Sequence, residues 1–216
     1  NLRIEGSGSK TLTANTVVEG NLILDAATLD AGNGNDYTLQ VGGNWVNNGG
    51  GFEARNAEID FNGSGAQSIT TNGAAFYDVR VSGNGPYNLN DNLILSNELI
   101  LESGVISTGF NEVVLESTNG SAISTFGNTS FVNGYLQRAI GSGVDQYNFP
   151  VGNGTATTDY HLVEIASNVL IGVNNITVHF TDITRHDDQD MNAFDSYITY
   201  ESISPDGMWV ISPDQQ

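Results

Sequence analysis

Two stretches decide the reading of this chain: Asn15–Gly32, NTVVEGNLILDAATLDAG, and Asn92–Gly109, NLILSNELILESGVISTG. They align without a gap: Val17 falls on Ile94, Leu22 on Leu99, Leu24 on Leu101, Leu29 on Ile106 and Gly32 on Gly109. After a short slip, Leu39 and Val41 fall on Val113 and Leu115. A unit of this length cannot bury its apolar side alone, so a repeat of this kind implies that neighbouring units stack on one another.

Working outward, short apolar runs recur along the first part of the chain, including Leu2–Ile4, Thr38–Val41, Ala57–Phe61, Asp78–Val81 and Leu93–Leu95. Each is fenced by Gly, Asn, Asp or Ser, and alternation at period two dominates, as in Leu39–Val41, Ile59–Phe61 and Val79–Val81, which is the period of a strand. Val41, Phe61 and Val81 return at a spacing that suits one coil of a parallel β-helix, roughly 20 residues built of short strands and tight turns. Corner sequences such as Asn47-Asn48-Gly49-Gly50-Gly51 favour the coil, because Gly supplies sharp bends and stacked Asn can form ladders between coils. No stretch reads as a helix of ten residues or more.

Composition agrees. The 216 residues hold 26 Gly and 26 Asn, and both residue types tolerate left-handed turn conformations. Six basic residues face 25 acidic ones, a formal charge of −19, which repels nucleic-acid phosphate and anionic lipid alike. There is no cysteine, which excludes disulfides and thiolate metal sites. No apolar run approaches the ~20 residues of a membrane helix, so no membrane insertion is expected.

The pattern changes near Val132, where candidate strands lengthen: Tyr135–Ile140, Tyr147–Phe149, His161–Ala166, Asn175–Phe180 and Met208–Ile211. Ile176, Val178 and Phe180 alternate with Thr177 and His179, as in an antiparallel strand with one wet face. The expected fold is therefore all-β: a right-handed parallel β-solenoid of ~20-residue coils over residues 1–132, then a β-sandwich-like domain over 133–216 that is incomplete as given.

Several phrases resemble large surface proteins of Bacteroidetes. They are Gly42-Gly43-Asn44-Trp45 followed by Asn47-Asn48-Gly49-Gly50, the run Ile59-Asp60-Phe61-Asn62-Gly63-Ser64-Gly65-Ala66-Gln67-Ser68-Ile69, and the later Gly134-Tyr135-Leu136-Gln137-Arg138 and Tyr147-Asn148-Phe149-Pro150-Val151-Gly152. The resemblance implies Gly/Asn-rich β-helical repeats, type IX secretion and an adhesin-like life at the surface of a Gram-negative bacterium. It implies no chemistry, and neither catalytic nor cofactor-binding residues are expected.

Candidate sites are few. The densest acidic cluster is His186-Asp187-Asp188-Gln189-Asp190, and Asp187, Asp188 and Asp190 are the candidate calcium ligands, since hard cations want several carboxylate oxygens on a loop. Ala31-Gly32-Asn33-Gly34-Asn35-Asp36 matches part of a calcium-binding nonapeptide, without a tandem copy. Trp45, Phe52, Tyr77 and Tyr87 could stack on sugars, although core packing is the default for Trp45 and Phe52. Arg55 and Arg80 with Asp60 and Asp78 could form a polysaccharide-lyase site on neighbouring coils, and Glu53, Glu58 and Asp60 offer carboxylates for glycoside hydrolysis. Ser204-Pro205-Asp206-Gly207-Met208-Trp209 reads as a turn leading into a Trp-anchored strand.

The sequence thus favours a secreted structural or adhesive module, a stiff spacer with a glycan or another cell-surface molecule as partner. Other domains of a longer chain are further expected partners. A β-helix enzyme acting on polysaccharide is the alternative, and so is a self-assembling fibre subunit that stacks through an unpaired edge such as Leu2–Ile4.

Overall fold

A computed structural model describes residues 1–32, 34–167, 172–182 and 207–214. The chain is nearly all β and winds into a parallel β-solenoid of about eight turns.

Each coil of the N-terminal part has three short strands, and each strand stacks in parallel on its counterpart in the next coil. The first face begins with Leu2–Ile4, Leu22–Leu24, Trp45–Asn47, Gln67–Thr70 and Tyr87–Leu89. It continues through Ile106, Val132 and Val151. The second face stacks Thr16–Val18, Thr38–Val41 and Glu58–Phe61, then residues 78–81, 98–101 and 123–124. The third face stacks Ser9–Thr11, Thr28–Asp30 and Phe52–Glu53. Phe52 lies 5.3 Å from Phe76, and the later strands of this face run on through residues 93–95, 113–115 and 136–138.

The expected return is present: Val41 pairs with Phe61, Phe61 with Val81 and Val81 with Leu101. All four are fully buried, because alternate residues of a strand point to one side and every coil points the same alternates inward. Trp45 fills the interior with its ring 4.9 Å from Phe52 and 5.0 Å from Phe76, and Phe61 approaches Tyr87 at 6.5 Å. Asparagines link the coils at the corner before the first face, through side chain-to-backbone bonds. Asn1 Oδ1 accepts the Asn21 N–H at 2.8 Å, Asn21 Oδ1 the Asn44 N–H at 2.9 Å, and Asn44 Oδ1 the Ser68 N–H at 2.8 Å. Each Asn thus satisfies a backbone donor in the next coil at a bend where the sheet ladder lapses.

Glycine is required where coils touch. A Cβ on Gly83 would stand 2.1 Å from the Gly63 carbonyl oxygen, and one on Gly63 would stand 2.5 Å from the Gly42 oxygen.

The long repeat has a different meaning from the one its alignment suggests. Leu22 and Leu24 lie on the first face, whereas Leu99 and Leu101 lie on the second. The repeat reports a common strand motif, displaced by one face, and not equivalent positions in two coils.

Residue 132 opens the strand Val132–Ala139, which pairs in parallel with Ile106–Leu115 along both its halves. Parallel stacking then reaches Val151 and Gly152. Beyond this point the pairing turns antiparallel, as the alternation around Val178 implies. Asp145–Gly152 pairs with Tyr160–Ser167, residues 136–139 pair with 175–178, and Asn175–Thr181 pairs with Met208–Pro213. These strands stay hydrogen-bonded into the same 17-stranded sheet as the first and second faces. They occupy the outer edge of the last coil, where an unpaired ladder would otherwise face solvent.

Candidate functional site

The outward residues of the second face form the richest polar array among the described residues. Register places Glu58, Asp78 and Glu98 in one column on successive strands, and Gln40, Asp60, Arg80 and Ile100 in the next. Neighbouring strands lie about 4.8 Å apart, so the array is dense.

Arg80 organises it. Its Nε and Nη2 donate to the two Glu58 oxygens at 3.1 and 3.0 Å, and its Nη1 donates to Glu102 at 2.9 Å. The hydrogen bonds to Glu58 are the main reason that the Arg80 guanidinium is held above its ordinary pKa, against the opposing effect of burial. Asp60 is only 4% exposed, and it accepts from Gln40 Nε2 at 3.1 Å and from the Ser82 hydroxyl at 2.6 Å. Asp78 accepts from Asn97 Nδ2 at 2.7 Å and the Glu98 N–H at 2.9 Å. Burial pushes its carboxyl above the usual range, helped by the like charges of Glu98 and Glu58, while those two hydrogen bonds pull the other way. Ser124 donates to Glu98 at 2.6 Å. A shallow hollow of about 300 Å³ lies at the N-terminal end of the array, lined by Thr16, Thr38, Gln40, Glu58, Asp60 and Arg80 among others.

The other candidates are placed elsewhere. Arg55 is bidentate to Asp30, at 3.1 Å from both Nε and Nη2, at a corner following the third face. Arg55 and Arg80 therefore do not converge, and the lyase-type pairing is not assembled. Arg80, held cationic by two carboxylates, is also the wrong way shifted for a proton-abstracting base. Trp45 and Tyr87 are buried and unavailable to a sugar. Phe52 packs against the core and Tyr77 is half-buried. The Tyr87 hydroxyl donates to the Phe61 carbonyl at 3.0 Å, and burial pushes its pKa up to about 12.

Asp187, Asp188 and Asp190 lie outside the described residues, as do Asn33 of the nonapeptide-like loop and Ser204, Pro205 and Asp206 of the turn. Trp209 lies in the strand Met208–Pro213, partly exposed, with its ring 5.4 Å from Phe180. Among the described residues no group of three or more His, Asp or Glu is placed to hold a metal ion, and no helix is long and apolar enough to cross a membrane.

Sequence reasoning missed Arg138. It is fully buried, with Nη1 donating to the Asn148 carbonyl at 3.0 Å and Nη2 to the Asn119 and Gly120 carbonyls at 2.8 and 3.2 Å. Its guanidinium carbon sits 5.1 Å from the centre of the Tyr147 ring and 5.9 Å from that of Phe149. Burial lowers its pKa to about 10. The signal was available, because Arg138 is in phase with the inward Leu136.

Comparison with protein-family models, curated proteins and solved structures finds no match for this chain.

Proposed function

We propose that this chain is a structural module of a secreted or cell-surface protein, a stiff spacer with no catalytic role of its own. The observation that carries the reading is the continuous stack of about eight turns, whose interior is packed with apolar side chains along its length. Stacked coils contact only their neighbours and give a rod whose length follows the coil number. The net charge of −19 keeps such a surface soluble. The likeness to Bacteroidetes surface proteins supports the same reading and suggests export to the surface of a Gram-negative bacterium, with a glycan or another surface molecule as partner.

A second reading, polysaccharide hydrolysis, has one specific observation in its favour. Asp78 is biased towards its protonated form, and its column neighbour Glu58 is gripped by Arg80. Two carboxyls on adjacent strands in unlike surroundings, one partly buried and one paired with a guanidinium, are the kind of pair a glycosidase uses.

One experiment separates the two. The chain is incubated with a panel of neutral and acidic polysaccharides, and released sugar ends are assayed beside a glycan-array measurement. The spacer reading predicts no turnover. Turnover that is abolished by both Glu58→Gln and Asp78→Asn would overturn it in favour of the hydrolase.

A further inference from the structure

Asn-Gly pairs are the weakest chemical points of a polypeptide, because glycine leaves the following amide nitrogen unshielded. This chain has eight of them, and seven lie wholly within the described residues. Reaction requires that glycine nitrogen to lose its proton and attack the Asn side-chain carbonyl, so an amide already donating a hydrogen bond is protected until the site opens.

The fold protects most of the seven. Gly49 N–H donates to Asn47 Oδ1 at 2.9 Å, Gly63 N–H to Gln67 Oε1 at 2.8 Å, Gly73 N–H to Thr71 Oγ1 at 3.2 Å and Gly120 N–H to Asp145 Oδ2 at 2.7 Å. Asn133-Gly134 lies inside the paired strand Val132–Ala139. Two pairs remain, Asn84-Gly85 and Asn153-Gly154, whose glycine N–H groups meet no acceptor among the described residues. At Asn153 the side-chain amide is held by Asp182, and the Asp159 carboxylate lies so close to Gly154 that a Cβ there would stand 2.2 Å from it. A negative charge beside the nitrogen opposes its deprotonation. Asn84 has neither restraint. It is exposed, its side-chain amide reaches the Ser64 carbonyl only at 3.4 Å, and it borders a hollow of about 300 Å³ lined by uncharged residues including Ser103, Gly104 and Thr129.

We propose that Asn84-Gly85 is, among the seven described pairs, the site at which the folded protein deamidates. Hydroxide takes the Gly85 amide proton, and the nitrogen bonds to Asn84 Cγ. Ammonia leaves from Cγ and a succinimide ring closes. Water then adds across either ring carbonyl–nitrogen bond, giving aspartate or isoaspartate. Both products add a negative charge, and isoaspartate also lengthens the backbone, at the corner where Asn84 N–H donates to the Gly63 carbonyl at 3.0 Å.

The test is to hold the full folded chain at mildly alkaline pH and follow each Asn-Gly pair by peptide mapping and tandem mass spectrometry, beside a urea-unfolded sample. In the folded protein Asn84 should convert more than about tenfold faster than Asn48, Asn62, Asn72 and Asn119, whose reaction waits for local opening. In urea the rates should converge. Asn84→Ser should remove the conversion mapped to that peptide. Folded-state conversion at Asn153, or at any of the five protected sites, Asn133 included, that equals or exceeds that at Asn84 overturns the assignment.

Discussion

Replacing Gly83 with alanine tests the close stacking of coils at one atom. Gly83 has ordinary backbone geometry, so an added methyl acts through space and not through strain. Its Cβ would lie 2.1 Å from the Gly63 oxygen, 2.7 Å from the Asn62 carbonyl carbon and 2.8 Å from the Gly63 nitrogen. All three are backbone atoms, and none can rotate away. The corner must open by about an ångström to restore ordinary contact distances. Opening stretches two bonds between coils, Gly83 N–H to the Phe61 carbonyl at 3.3 Å and Asn84 N–H to the Gly63 carbonyl at 3.0 Å. Two weakened hydrogen bonds at about 1 kcal/mol each, plus overpacking of about 1–3 kcal/mol, give a loss of roughly 2–5 kcal/mol. For a chain of this size that lowers Tm by roughly 5–15 °C. Gly65→Ala is the control, since a Cβ there meets nothing within 4 Å, and its effect should stay within about 0.5 kcal/mol. The assay is thermal melting by circular dichroism, with amide hydrogen exchange at residues 82–84 to localise the change. Equal melting of Gly83→Ala and wild type, or an equal loss in Gly65→Ala, would refute the reasoning.

Other predictions follow from the same contacts. Arg138→Met should cost about 2–5 kcal/mol in a chemical denaturation series, because three carbonyls around the buried guanidinium lose their donor, partly offset by release of a desolvated charge. Trp45→Ala should cost about 3–5 kcal/mol in the same series, because it empties a site that is fully buried among aromatic rings. Asn44→Ala should cost about 1 kcal/mol by removing the acceptor of the Ser68 N–H, with faster exchange of that amide as the local readout. The folded pKa of Asp78 is raised above its free value of 3.8. Its penalty is therefore absent below pH 3.8 and grows as pH rises through the folded pKa. Asp78→Asn should accordingly raise Tm at neutral pH, with a gain that vanishes in melts below that value. Asp30 behaves oppositely. The hydrogen bonds from Arg55 lower its pKa, so its contribution is present above 3.8 and fades as pH falls through the lower folded value.

The solenoid was legible because its interior is written at period two and its coils at a near-constant spacing, as Val41, Phe61 and Val81 show. Phase around the coil was not legible. All three faces use the same apolar-x-apolar strand, so a local match such as Leu22 with Leu99 cannot say which face is meant. The lengthening of strands near Val132 is visible in the sequence, but its cause is not. In the structure, strands such as Ile106–Leu115 and Val132–Ala139 lengthen because each turns a corner and serves two faces, with the register slipping between Ser107 and Glu112. The second-face array was half visible. Its carboxylates were candidates, but their pairing with Arg80 comes from coil spacing, which sets Glu58, Arg80 and Glu102 at steps of 22 residues. Tyr87 reads in sequence as an aromatic that could stack on sugars, yet it is fully buried. Burial is tolerated because its hydroxyl finds the Phe61 carbonyl.

The most direct test of the stacked solenoid is a distance along its second face. The chain has no cysteine, so spin labels go only where cysteines are placed, at Val17→Cys and Ser124→Cys. Register links Val17 to Gln40, Asp60, Arg80, Ile100 and Ser124 in unbroken succession. Five parallel steps of about 4.8 Å put the two backbones about 24 Å apart. Double electron–electron resonance should return one narrow distribution consistent with that separation once the label arms are included. A broad distribution, or a distance far from it, would contradict the stacked coils on which the account is built.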